Sequence, residues 1–170
     1  MTLSEIILQT KSAKERSLLL FSALKKQPEK ANEWHNIIVN AKSPIKASLL
    51  EAVEFLTNEN PARGKEFLEA TIECLNDPAP AVLRESGRII ANVAVSLPDE
   101  CAEAIPALLN YTKHEGTVVR WAAALALSRI ALNHPASAKK LIPLFKKLIE
   151  NEMNNGVKNH FVKALKKLEK

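Results

Sequence analysis

The sequence predicts an all-α, right-handed α-solenoid of about five antiparallel helical hairpins, one domain spanning residues 1–170. Three observations carry this reading. First, an apolar residue followed by a basic one opens a helical apolar pattern four times, in "IKASLLEAVEFL", "LRESGRIIANVA", "VRWAAALALSRI" and "VKNHFVKALKKL". The basic residues Lys46, Arg84, Arg120 and Lys158 lie 38, 36 and 38 residues apart. Second, another amphipathic segment precedes each of the last three, with Leu68, Ile105 and Ile142 recurring at intervals of 37 and 37. Third, four glycines and one tyrosine against 46% hydrophobic residues favour long helices over strands. Two helical segments in each repeating unit mean stacked hairpins, not a compact bundle.

Taken in order, the N-terminal third gives helices over 2–10, 13–27, 30–41 and 44–58. Here "SAKERSLLLFSALKK" and "ANEWHNIIVNAK" match the two segment types at an offset of 31, so the first unit is shorter. The next helices fall at 62–76 ("GKEFLEATIECLN") and 79–97 ("LRESGRIIANVA"), then at 99–112 ("CAEAIPALLNYTK") and 117–133 ("VRWAAALALSRI"). The last pair, at 136–151 and 155–169, holds "SAKKLIPLFKKLIE" and "VKNHFVKALKKL". Pro28, Pro44, Pro61, Pro78, Pro80, Pro98 and Pro135 all lie between apolar-periodic stretches, where a missing N–H is least costly. The units run 1–27, 28–58, 59–97, 98–133 and 134–170.

These features resemble HEAT repeats, including the HEAT-like form named after phycobilisome lyases. The resemblance lies in the "VR" that begins a second helix, the "AAALALSRIAL" after it, and a proline within the first helix, Pro106 in "AIPALL" and Pro143 in "LIPLFK". It covers most of residues 44–170. It implies that Arg84, Arg120 and Lys158 bond turn carbonyls or neighbouring acids between repeats, in place of binding a ligand. Asp77 precedes "VLRE" as the family's turn aspartate would, whereas the equivalent turns offer Glu115 or asparagines.

Charge is uneven. Residues 1–138 hold 15 Lys and Arg against 16 Asp and Glu, while residues 139–170 hold nine lysines against three glutamates. The basic character belongs to the C-terminal end. No apolar run approaches the roughly 20 residues that cross a bilayer, and "MTLSEIILQT" lacks a basic start. Cys74 and Cys101 share no metal-type spacing and fit a reducing compartment. A cytoplasmic protein without a membrane span is expected.

With 100° per residue, Val119, Ala122, Ala123, Ala126, Leu127 and Ile130 share one face, expected to be core. Trp121, Leu125, Ser128 and Leu132 fall on the opposite side. Where the Trp121 column continues in other units it holds Ala47, Glu85 and Asn159. The resemblance implies that second helices line a concave groove. That groove would run from acidic (Glu51, Glu54, Glu85, with Arg88 beside them), through an apolar centre (Trp121, Leu125, Leu132), to basic (Lys163, Lys166, Lys170). An aromatic anchor flanked by orienting charges suits an extended peptide or a partner's helix. The expected partner-binding residues are Trp121, Leu125, Leu132, Arg88, Glu85, Lys163 and Lys166. Alternatively, Trp121 folds over Ile89 or the stem of Lys158 and closes a gap between repeats. The lysine-rich last helix alternatively serves as a solvated cap. Trp34, followed by Ile37 and Ile38, reads as core.

No constellation for catalysis, cofactor or metal stands out. His35, His114, His134 and His160 are scattered over different units, and there is no HExxH motif, CxxC pair, phosphate loop or serine elbow. Alkylpurine DNA glycosylases, built on related repeats, use a basic concave face and a catalytic aspartate. The only aspartates here, Asp77 and Asp99, fall in turns. The leading expectation is a non-catalytic protein-binding scaffold, monomeric or weakly self-associating. A second reading is nucleic-acid backbone binding by the C-terminal lysines, and a third is self-association through exposed solenoid ends.

Overall fold

The computed structural model describes residues 1–170. It contains eleven α-helices and no strand. They are α1 (Leu3–Gln9), α2 (Ala13–Lys26), α3 (Ala31–Ile38), α4 (Ser43–Glu59), α5 (Leu68–Glu73), α6 (Pro80–Val93), α7 (Pro98–Ala102), α8 (Ile105–Tyr111), α9 (Thr117–Asn133), α10 (Pro135–Asn151) and α11 (Asn155–Leu168). Helices α2, α4, α6, α9 and α11 pack side by side in that order as an inner layer. Against them lie α1, α3, α5, the pair α7–α8, and α10, each packed on the inner helix that follows it. This is an α-solenoid of five hairpins.

Local chemistry sets the helix starts. Thr2 caps α1 reciprocally with Glu5, Ser12 caps α2, and Asn154 caps α11. Pro80, Pro98 and Pro135 each occupy the first helical position, where no N–H is required. Three outer arms depart from the single helices that the sequence predicts. The arm at 30–41 opens with a 3-10 turn at Pro28–Lys30, and 62–76 resolves into two 3-10 segments around the short α5. The arm at 99–112 breaks at Glu103 and Ala104, so α8 restarts with Pro106 in its second position. A proline ring there clashes with the carbonyl four residues back and leaves it without a donor. Pro143, by contrast, is carried inside the unbroken α10.

One core runs from Leu3 to Leu165. Trp34 is fully buried, donates Nε1–H to the Leu49 carbonyl (3.0 Å) and stands edge-on to Phe67, a core role as the sequence predicts. All six residues assigned to the core face of α9 are buried. The alanines and a glycine set the helix spacing there. A Cβ on Gly87 of α6 would come within 3.0 Å of the Ala122 Cβ and 3.1 Å of its carbonyl oxygen on α9.

The basic column is partly a ladder between hairpins. Lys46 on α4 reaches Asp77 (3.5 Å) in the turn before α6, and Arg120 on α9 reaches Glu152 (3.0 Å) in the turn before α11. Both acids also accept the backbone N–H two residues on, from Ala79 and Asn154. Burial works to raise the pKa of Asp77, but the Ala79 amide, the Ser43 hydroxyl and Lys46 outweigh it and hold it below the ordinary value. Glu152 is likewise held low, because Arg120 and the Asn154 amide outweigh its desolvation. Arg120 also donates to the carbonyls of His114 and Glu115. Arg16 on α2 repeats that pattern on the carbonyls of Thr10 and Lys11. It is a first rung that the sequence reading passed over. The fourth turn supplies Glu152 where an asparagine was expected, and Arg84 leaves the column, turning to its neighbour Glu85 at 2.6 Å.

Candidate partner-binding face

The inner helices leave only a narrow strip uncovered, because each is packed by its own outer helix and by the inner helices beside it. On α9 that strip carries Trp121, Leu125 and Leu132, all half-buried. Ser128, expected on the open side, is only 5% exposed. Trp121 does not project freely. Its ring meets the His160 ring of α11 edge-on, with centroids 5.1 Å apart and planes at 75°. His160 is thus a ring neighbour of Trp121, which also packs against the core.

Leu125 and Leu132 form one wall of a cleft of about 510 Å³ between α9 and α11, closed on its third side by Val95 beyond the end of α6. Val95 is 62% exposed. Lys163 lines the same cleft, joined by Arg129 and Lys167. Lys166 does not line it. Lys166 and Lys167 are adjacent in sequence, but about 100° of helix rotation turns them to different sides of α11. The sequence signal that was missed is the spacing of His160, Lys163, Ala164 and Lys167, which places all four on one face of α11.

The acidic end of the expected groove is corrected by the structure. Glu85 is fully buried and Glu54 is 5% exposed, so neither offers a carboxylate to a partner. Arg88 clamps both, with Nη1 3.2 Å from Glu85 Oε2 and Nη2 3.1 Å from Glu54 Oε1. Asn92 donates to the Glu54 carbonyl and to Thr57 Oγ1, each at 3.2 Å. Burial pushes the Glu85 carboxyl above the ordinary value, against the pull of Arg84 and Arg88. Two desolvated carboxylates around one guanidinium join α4 to α6, and Arg88 and Glu85 hold the stack together. Of the expected acidic end only the half-buried Glu51 is left partly accessible.

Other reactive groups are withdrawn from the surface. Cys74 and Cys101 are free and buried, and burial pushes their thiols up to about 11 and about 12 respectively. The histidines do not converge: His35 meets the Glu66 carbonyl, His114 the Gly116 amide, and His134 caps α10. No helix is long and apolar enough to cross a membrane.

A family model described as HEAT repeats matches residues 68–166, more than half of the chain. Among solved structures, an engineered protein superposes with a TM-score of 0.79 at 17% identity, covering 98% of this chain and 78% of its own. A designed armadillo repeat protein gives 0.73 at 18% identity, covering 98% and 80%. Computationally designed armadillo repeat proteins for modular peptide recognition give 0.71 at 17% identity, covering 96% and 79%. At such identities these likenesses speak to the fold. No curated protein matches the sequence.

Proposed function

Because the chain belongs to the HEAT-repeat family, we propose that it is a non-catalytic, cytoplasmic scaffold that docks another protein on the concave face formed by its inner helices. The observation that carries this is the α9–α11 cleft, where half-buried Leu125 and Leu132 and the exposed Val95 adjoin the cations Arg129, Lys163 and Lys167. Apolar area ringed by charge is what a partner-binding patch presents, the apolar part supplying affinity and the rim setting orientation and rate. The designed armadillo relatives made for peptide recognition lend support through shared architecture. Buried free thiols suit a reducing setting.

Nucleic-acid backbone binding is the second reading, favoured by the nine lysines of residues 139–170. Self-association is the third, favoured by Leu8 (85% exposed) and the neighbouring Leu18 and Leu19 at the N-terminal hairpin. A pull-down from the native host separates these, comparing the wild type with Leu125→Glu in the cleft and Leu8→Glu at the end. Loss of a protein partner with Leu125→Glu alone supports the proposal. Retention with Leu125→Glu and loss with Leu8→Glu contradicts it.

A further inference from the structure

The α9–α11 cleft is positively charged without any internal compensation. Arg129, Lys163 and Lys167 line it, no carboxylate does, and none of the three forms an ion pair. The half-buried cations Lys46, Arg88 and Arg120 meet carboxylates, whereas these three, like most exposed lysines of the chain, do not; what sets them apart is that they converge on one cleft. Lys167 lies in the last turn of α11, where a cation complements the helix dipole. That account does not extend to Lys163, a turn earlier, nor to Arg129, which precedes the last turn of α9.

Two further atoms point the same way. Ser128 Oγ and His160 Nε2 are buried in the lining residues and have no hydrogen-bond partner. Buried polar atoms are almost always bonded, so this pair marks an incompletely satisfied spot in the lining beside the three cations. Desolvation first, then Lys163 and Arg129, lowers the His160 pKa, as a positive surrounding should.

We infer that this cleft seats an acidic segment of a protein partner, with an Asp or Glu carboxylate between Arg129, Lys163 and Lys167 and an adjacent apolar side chain against Leu125, Leu132 and Val95. The inference rests on the reading of the inner face as a protein-docking surface and adds the chemistry of what docks. A nucleic-acid strand fits less well. Three phosphate contacts give a salt slope of only about −3, and no Trp, Tyr or Phe lines the cleft to stack a base.

The test is selection from a random short-peptide display library on the immobilised full chain. The same selection is run on Arg129→Ala/Lys167→Ala and on Lys163→Ala, all three positions being exposed. Thermal melts verify that the variants fold. The expected result is enrichment of peptides with Asp or Glu beside a large apolar residue. Selected peptides should bind the double variant at least about tenfold more weakly, with an advantage that shrinks as salt rises. Lys163→Ala should act in the same direction. Enrichment of neutral or basic peptides on the inner face would overturn the acidic assignment and leave the docking surface standing. Failure to enrich any peptide would sink both. A single-stranded oligonucleotide that binds tighter than every selected peptide, and is lost in the same variants, would assign the cleft to nucleic acid.

Discussion

Trp121 on α9 stands edge-on to His160 on α11, ring centroids 5.1 Å apart, and the imidazole is thereby held against the base of the cationic cleft. The ordinary histidine value is 6.5, and His160 lies below it through desolvation and the charges of Lys163 and Arg129. Below that pH the unfolded chain binds more protons at this site than the folded one, so stability must fall as pH is lowered. Chemical denaturation at descending pH should show this loss beginning near 6.5. His160→Gln should flatten that part of the profile. An unchanged slope in the variant would remove His160 as the cause.

Arg120 and Arg84 occupy the same column, yet they should differ in what they hold. Arg120→Ala strips Glu152 of its cation and two turn carbonyls of their donor. A cost of about 2–3 kcal/mol follows, since charged partners are left unpaired. Arg84→Ala should cost under about 1 kcal/mol, because Arg84 is substantially exposed and Arg88 still bonds Glu85. Equal losses in thermal or urea unfolding would contradict this division.

Arg88 was legible as a groove residue but functions inside the stack. Removing it leaves the 5%-exposed Glu54 carboxylate without a cation and Glu85 with Arg84 alone. Arg88→Ala should destabilise by about 3 kcal/mol, the usual scale for an uncompensated buried charge. Unfolding curves at neutral pH measure it directly. A variant with wild-type stability and weakened partner binding would restore Arg88 to the docking surface.

Gly87 sets the distance between α6 and α9. Since a Cβ there meets both the side chain and the backbone of Ala122, Gly87→Ala should cost about 1–3 kcal/mol through overpacking. This outweighs the gain of up to about 1 kcal/mol that alanine brings to a helix interior. A stabilised Gly87→Ala protein would mean that the two helices can part at little cost.

The repeat was readable because it lies in the spacing of single residues along the chain: Lys46, Arg84, Arg120 and Lys158, and the apolar triplet Leu68, Ile105 and Ile142. The core face of α9 was readable for the same reason. The open face was not. A helical wheel assumes one buried side, whereas α9 is packed by α6, α8, α10 and α11, so Ser128 is buried and Trp121 half-buried on the side that the wheel leaves to water. The Glu54–Arg88–Glu85 clamp was hidden because Glu54 and Arg88 lie on different helices. The turn acids Asp77 and Glu152 follow their cations by 31 and 32 residues, a regularity present in the sequence but visible only once the pairs are seen. Pro106 broke its helix while Pro143 did not, and residue identity alone does not separate the two.

The most direct measurement of the central claim is hydrogen–deuterium exchange of the intact chain, alone and bound to the protein partner recovered with it. Docking in the α9–α11 cleft should slow exchange over residues 125–133 and 160–167, with little change in α1, α3 and α5. Protection confined to those outer helices or to the N-terminal hairpin, with residues 125–133 and 160–167 unaffected, would contradict the account.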